Sequence, residues 1–126
     1  METGPEKAAR RFVETFNGRD LDGFVETLDR EVEIHSMRGL RRGRKEARKW
    51  ATRAPGGVQQ TIEVVQAKTT DGRVLLEIDR VWRWDEDGTH ASTDEMSWLF
   101  EVNEDGLITS WRPFEDRAEA ARAFDS

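Results

Sequence analysis

From Val58 to Phe114 the chain alternates apolar and polar residues with a period of two, broken three times by an Asp-Gly pair: Asp71-Gly72, Asp87-Gly88 and Asp105-Gly106. That pattern dictates four strands, Val58 to Thr69, Arg73 to Trp84, Ala91 to Asn103 and Leu107 to Phe114, joined by three hairpins into an antiparallel meander. The strands exceed the common length of about 5–6 residues, so the sheet they build is expected to bend around something.

What precedes them is helical. Thr3-Gly4-Pro5-Glu6 reads as a capping box, after which Ala8, Ala9, Phe12, Val13 and Phe16 recur at helical spacing until Asn17-Gly18. Asp20 can cap a second, short helix carrying Leu21, Phe24, Val25 and Leu28, and Val32 to Met37 then turns strand-like. A third helix, about Arg44 to Ala54, places Ala47, Trp50, Ala51 and Ala54 on its apolar side and stops at Pro55-Gly56-Gly57. Asp116-Arg117-Ala118-Glu119 repeats the capping pattern and starts a last helical turn through Phe124. The reading is therefore a single α+β domain over residues 1–126, a curved antiparallel sheet wrapped over three N-terminal helices.

Composition removes several chemistries. Five Trp and six Phe stand beside no Tyr, no Cys and two His, so disulfides and thiol nucleophiles are impossible and a metal site is not expected. No cofactor motif is present. The net charge of −6 hides a basic segment: Arg38 to Arg53 holds eight basic residues against Glu46 alone, +7, leaving −13 elsewhere. An acidic chain argues against nucleic acid and membrane surfaces as partners, and the absence of an apolar leader or span points to a cytoplasmic protein. The basic segment reads as a solvated helix face or as a site for an acidic group.

Strand faces can be assigned by alternation. Val74, Leu76, Ile78, Arg80, Trp82 and Trp84 share one face, and Asp94, Met96, Trp98, Phe100 and Val102 share the matching face of the next strand. A five-residue loop, Asp85 to Thr89, sets Trp84 opposite His90, Trp82 opposite Ser92 and Arg80 opposite Asp94; a two-residue Asp71-Gly72 turn sets Arg80 opposite Glu63. The expectation is a Glu63, Arg80, Asp94 row crossing three strands among Trp82, Trp84, Trp98 and Trp111. A guanidinium buried there requires carboxylate partners, so the row is either a structural ion pair or part of a ligand site. The aromatic wall likewise serves either a ligand pocket or a filled core. An inner cavity of roughly 300 Å3 or more would favour the pocket.

The segments AARRFVETFNGRDLDGFVETLDREVEIHS, RGRKEARKW and DGLITSWRPFEDRAEAARAF, spanning nearly the whole chain, resemble the SnoaL-like branch of the nuclear transport factor 2-like superfamily. The resemblance implies a cone-shaped fold whose pocket hosts steroid isomerases, polyketide cyclases and epoxide hydrolases. Most of their reagents are replaced. The oxyanion tyrosine of the steroid isomerases falls on Phe12, their second donor on or beside Trp98, and their base on Ser36 or His35. The Asp, Arg, Asp set of limonene epoxide hydrolase falls on Arg80, Ile78 and Pro113. His35 is the candidate general base, with Arg80, Asp94 and Glu63 as candidate catalytic partners; Trp82, Trp84, Trp98, Trp111, Phe12 and Met96 are candidate ligand contacts. Alternation along Val32, Ile34 and Ser36 nevertheless turns His35 outward unless a bulge intervenes. Two functions stay open: a small hydrophobic molecule bound, with cofactor-free acid-base catalysis on it, or a non-catalytic binding or dimerisation module. Leu75, Val81, Leu99 and Ile108 on the outer face suggest a homodimer.

Overall fold

A computed structural model describes residues 4–36, 39–52 and 57–126. Thr3, Met37, Ala54 and the ends of the basic segment, Arg38 and Arg53, lie outside the described residues. In chain order the elements are α1 (Gly4–Asn17), α2 (Leu21–Glu26), β1 (Leu28–Ser36), β2 (Gly39–Arg42), α3 (Arg44–Thr52), β3 (Val58–Thr70), β4 (Arg73–Trp84), β5 (His90–Val102), β6 (Ile108–Phe114) and α4 (Arg117–Asp125). The strands form one sheet in the order β2-β1-β6-β5-β4-β3. All neighbours are antiparallel except β1 and β6, which run parallel and bring the first strand beside the last. No described helix is long and apolar enough to cross a membrane.

Ala9, Phe12, Val13 and Phe16 recur on one side of α1, and all four are buried against the sheet with Phe24 of α2. Asp20 caps α2 by accepting from the Gly23 amide, as its position predicts. The side chain of Asn17, where α1 stops, does more than end a helix. Its Nδ2 donates to the Ile62 carbonyl at 2.8 Å and its Oδ1 accepts from the Ile62 amide at 2.8 Å, so one amide side chain acts as a short strand partner for edge strand β3. Arg44 opens α3 and donates from Nε and Nη2 to the Leu28 carbonyl at 2.9 and 2.7 Å, anchoring that helix to β1.

The hairpins show how register is set. Asp71 and Gly72 both have positive φ, 44° and 82°, the pairing a two-residue turn between right-twisted strands demands. A Cβ on Gly72 would sit 2.9 Å from the Val102 carbonyl oxygen, so the position requires glycine twice over. Thr70 does face Arg73, but β3 carries an extra residue at Val65, and beyond it every pair is displaced by one. A second irregularity leaves Ala91 unpaired, so His90 faces Arg83 rather than Trp84.

On the outer face, α4 lies over the sheet and closes a second apolar cluster of Leu75, Leu99, Ala120 and Phe124. Asp116 caps this helix, accepting from the amides of Ala118 and Glu119. This corrects the expected dimer face: Leu75 and Leu99 are covered within the chain, and Val81 and Ile108 are buried too, so these four residues present no exposed apolar surface. Strand β1 begins four residues earlier than its alternation indicates, and β2 was not expected at all, because Gly39–Arg42 carries one apolar residue and no period.

Candidate functional site

The concave face of the sheet and the helices over it enclose an open cavity of about 250 Å3. Three tryptophans on three strands, Trp82 (β4), Trp98 (β5) and Trp111 (β6), meet a fourth, Trp50, reached from α3. Trp111 lies edge-on to Trp98 with ring centroids 5.2 Å apart and packs against Trp50 at 4.6 Å, so the wall is held by ring-to-ring contacts. Met96, Phe16 and Pro113 complete the apolar lining, while Ser36, Gln60, Arg80 and Glu115 are its polar members. The volume lies just below the roughly 300 Å3 lower end of small-molecule sites, which suits a compact occupant.

Arg80 and Asp94 are opposite one another, as expected, because the unpaired Ala91 offsets the shifted pairing at the hairpin end. Asp94 Oδ2 accepts from Arg80 Nε at 3.1 Å, from Arg80 Nη2 at 2.8 Å and from the Trp82 indole N–H at 3.0 Å. The guanidinium also lies over the Trp82 ring, 5.1 Å from its centroid. The indole hydrogen bond first, and the Arg80 hydrogen bonds second, hold the Asp94 carboxyl below the ordinary carboxylate range. The charge of Arg80 is thus answered locally, at the boundary between the cavity and an open rim cleft that Arg80, Met96 and Glu115 also line.

The remaining expected members are elsewhere. Glu63 is exposed and faces Asp79; the extra residue at Val65 puts Ile62, not Glu63, opposite Arg80. The three-strand row is therefore a two-strand pair. His35 is turned away from the cavity because β1 alternates from Val32 to Ser36: Ile34 is buried, Ser36 lines the cavity, and the His35 ring sits beside Glu33 with Nε2 3.4 Å from its carboxylate. Trp84 is 50% exposed at the end of β4, where the register irregularity leaves it without a partner on β5. Phe12 is fully buried behind the wall, 6.1 Å from Trp98 and 6.5 Å from Trp111, and backs the lining without joining it.

Sequence reasoning missed Trp50, Phe16, Gln60 and Glu115 as lining residues. Trp50 and Phe16 were legible as apolar helix faces, but nothing local says which apolar residue borders a void. Gln60 owes its inward position to the same extra residue that displaces Glu63. Two donors in the wall are also notable: the indole N–H groups of Trp98 and Trp111 are buried with no hydrogen-bond partner among the described residues. Each such donor costs about 1–3 kcal/mol unless a water or ligand acceptor answers it. Among the described residues, no group of three or more His, Asp or Glu is placed to hold a metal ion.

Comparison with known proteins agrees with this architecture. An epoxide hydrolase of Mycobacterium tuberculosis, described as LEH-like, superposes with a TM-score of 0.75 at 18% identity, over 96% of this chain and 89% of that one. A Δ5-3-ketosteroid isomerase from Mycobacterium sp. gives 0.74 at 12% identity over 90% and 93% of the two chains. A computationally designed 17-OHP binder gives 0.77 at 14% identity over 93% and 96%. At these identities the likeness shows the fold alone, and no curated protein matches the sequence. The sequence model of the SnoaL-like domain, however, matches residues 9–111, most of the chain and every cavity element except the last residues of the rim, and the protein belongs to that family.

Proposed function

We propose that the protein binds a compact, largely apolar small molecule in the tryptophan cavity. The observation that carries this is the cavity itself: about 250 Å3 left open among four indoles beside the main apolar cluster. Close-packed interiors do not leave such a volume where a neighbouring side chain can collapse into it. The designed 17-OHP binder of the same fold supports the reading of this architecture as one that can hold a small molecule.

Binding is favoured over acid-base catalysis by the lining. With His35 facing outward, Glu115 at the exposed rim is, among the described residues, the one carboxylate on the cavity, and Arg80 is engaged by Asp94. A general base must reach its proton directly or through one water, and Glu115 stands at the exposed rim rather than among the indoles.

The test is titration with 1-naphthol, followed by tryptophan fluorescence and by the thermal midpoint. Saturable quenching with a rise in midpoint is expected, and ligand at about 100 times its Kd would stabilise by about 2.7 kcal/mol. Trp84→Phe should leave the titration unchanged, because Trp84 lies outside the cavity, whereas Met96→Trp should abolish it by filling the space. An unsaturable response, or one insensitive to Met96→Trp, would overturn the reading.

A further inference from the structure

A second cavity, of about 190 Å3, lies between α1, α2, α3 and β3. It shares two lining residues with the tryptophan cavity, Phe16 and Gln60, so these side chains form the partition between two chambers. Leu21, Phe24 and Ala51 make the second chamber apolar, and among the described residues Arg19 is its one charged lining residue. The Thr15 and Thr52 hydroxyls there donate to carbonyls of their own helices, at Arg11 and Lys49, so their protons are committed. Among the described residues no ion pair or side-chain hydrogen bond engages Arg19 or Gln60, which leaves them as the donors a ligand would meet. At the far end of the tryptophan chamber Arg80 is paired with Asp94, and among the described residues the charge left without an ion pair is the opposite one, on Glu115. The two chambers together therefore run from a cationic end to an acidic end through apolar walls.

We propose that the two chambers are one bipartite site for an elongated hydrophobic carboxylic acid, its carboxylate at Arg19 and its tail passing the Phe16–Gln60 partition into the tryptophan chamber. This rests on the binding function proposed above and replaces its compact occupant with one long enough to reach the second chamber. The polarity sets the orientation: at the other end Arg80 is already paired with Asp94, so a carboxylate there would meet Glu115, and like charges repel. Phe16 then determines how long a tail is accepted, because its ring stands between the chambers and packs against Trp50 and Trp98, with centroids 5.7 and 6.3 Å away.

The experiment compares n-alkanoates from hexanoate to dodecanoate with the n-alkanols of equal length, read by tryptophan fluorescence, in the wild type, Arg19→Asn and Phe16→Leu. Asparagine is chosen because Arg19 has φ 56°, a left-handed conformation that Asn tolerates. Affinity should rise with chain length, approaching fourfold per buried methylene, and dodecanoate should bind roughly tenfold more tightly than dodecanol, the worth of a hydrogen bond to a charged group. Arg19→Asn should erase that tenfold difference, and Phe16→Leu should tighten dodecanoate severalfold while leaving hexanoate within about twofold. Affinity that stops rising at hexanoate, alkanols as tight as alkanoates, or indifference to Arg19→Asn would each overturn the proposal. If 1-naphthol binds and no alkanoate does, only the bipartite site falls; if neither binds, both readings fall.

Discussion

Asp94 shows how one side chain makes its neighbours permissible. Without it the inner face would hold a guanidinium and an indole N–H with nothing to accept from them, and both donors converge on its Oδ2. Because the folded state holds the Asp94 carboxyl below its unfolded value of about 3.9, its contribution is complete above that pH and is lost as pH falls through the folded value. The side chain is 44% exposed, so solvent screening limits the effect to about 1 kcal/mol. Urea midpoints of wild type and Asp94→Asn should accordingly differ most near pH 6 and converge below pH 4. Trp98 poses the opposite case. Trp98→Phe deletes a partnerless N–H while keeping most of the ring and should be close to neutral, whereas Trp98→Ala should cost about 3–5 kcal/mol, both read by chemical denaturation. The Arg80–Asp94 pairing follows the expected register, because the unpaired Ala91 offsets the one-residue shift at the hairpin end. The place of Glu63 was not legible, since a single unpaired residue, Val65, reverses which side chains face inward and no local signal marks it. For His35 the alternation of β1 gave the correct direction, against the position the family resemblance assigned it.

Among the elements, β3 and α4 depend most on contacts that local sequence does not announce. Strand β3 is 13 residues long and lies at the sheet edge, a place where unpaired amides invite association. The bulge at Val65 and the Asn17 side chain both interrupt that edge. Asn17→Ala leaves the Ile62 amide and carbonyl without their partner, and a loss of about 2 kcal/mol is expected in the unfolding free energy. Helix α4 was legible as a capped turn, but its role as a cover was not, because Leu75 and Leu99 read as exposed until something is known to lie on them. Asp116→Ala should cost about 1 kcal/mol by loss of the cap and should expose that cluster to a hydrophobic dye before global unfolding. Strand ends at hairpins were legible to within about a residue because Asp-Gly turns are strong local signals. The weak edge strand β2 carries no such signal.

For the whole molecule, the main apolar cluster draws on α1, α2, α3 and every strand except β2, so helices and sheet share one core. Loss of ellipticity from secondary structure and loss of aromatic signal should therefore coincide in a single unfolding transition; separate midpoints would show two independent units. The α+β class and the curved sheet followed from the sequence because periodicity specifies element types and turns specify neighbours. The cavity did not, since a void depends on where side chains stop short of each other, a property of the assembled core.

The parallel pairing of β1 with β6 has a consequence in time. Leu28 faces Ile108 and Ile34 faces Trp111 across that pair, and the Ile108 amide donates to the Thr27 carbonyl at 2.9 Å. A ribosome delivers β1 early and its partner roughly eighty residues later, after the whole meander. Until then the nascent chain carries Phe12, Phe24 and Ile34 with no finished sheet to bury them, which makes synthesis the interval of greatest exposure to chaperones and proteases.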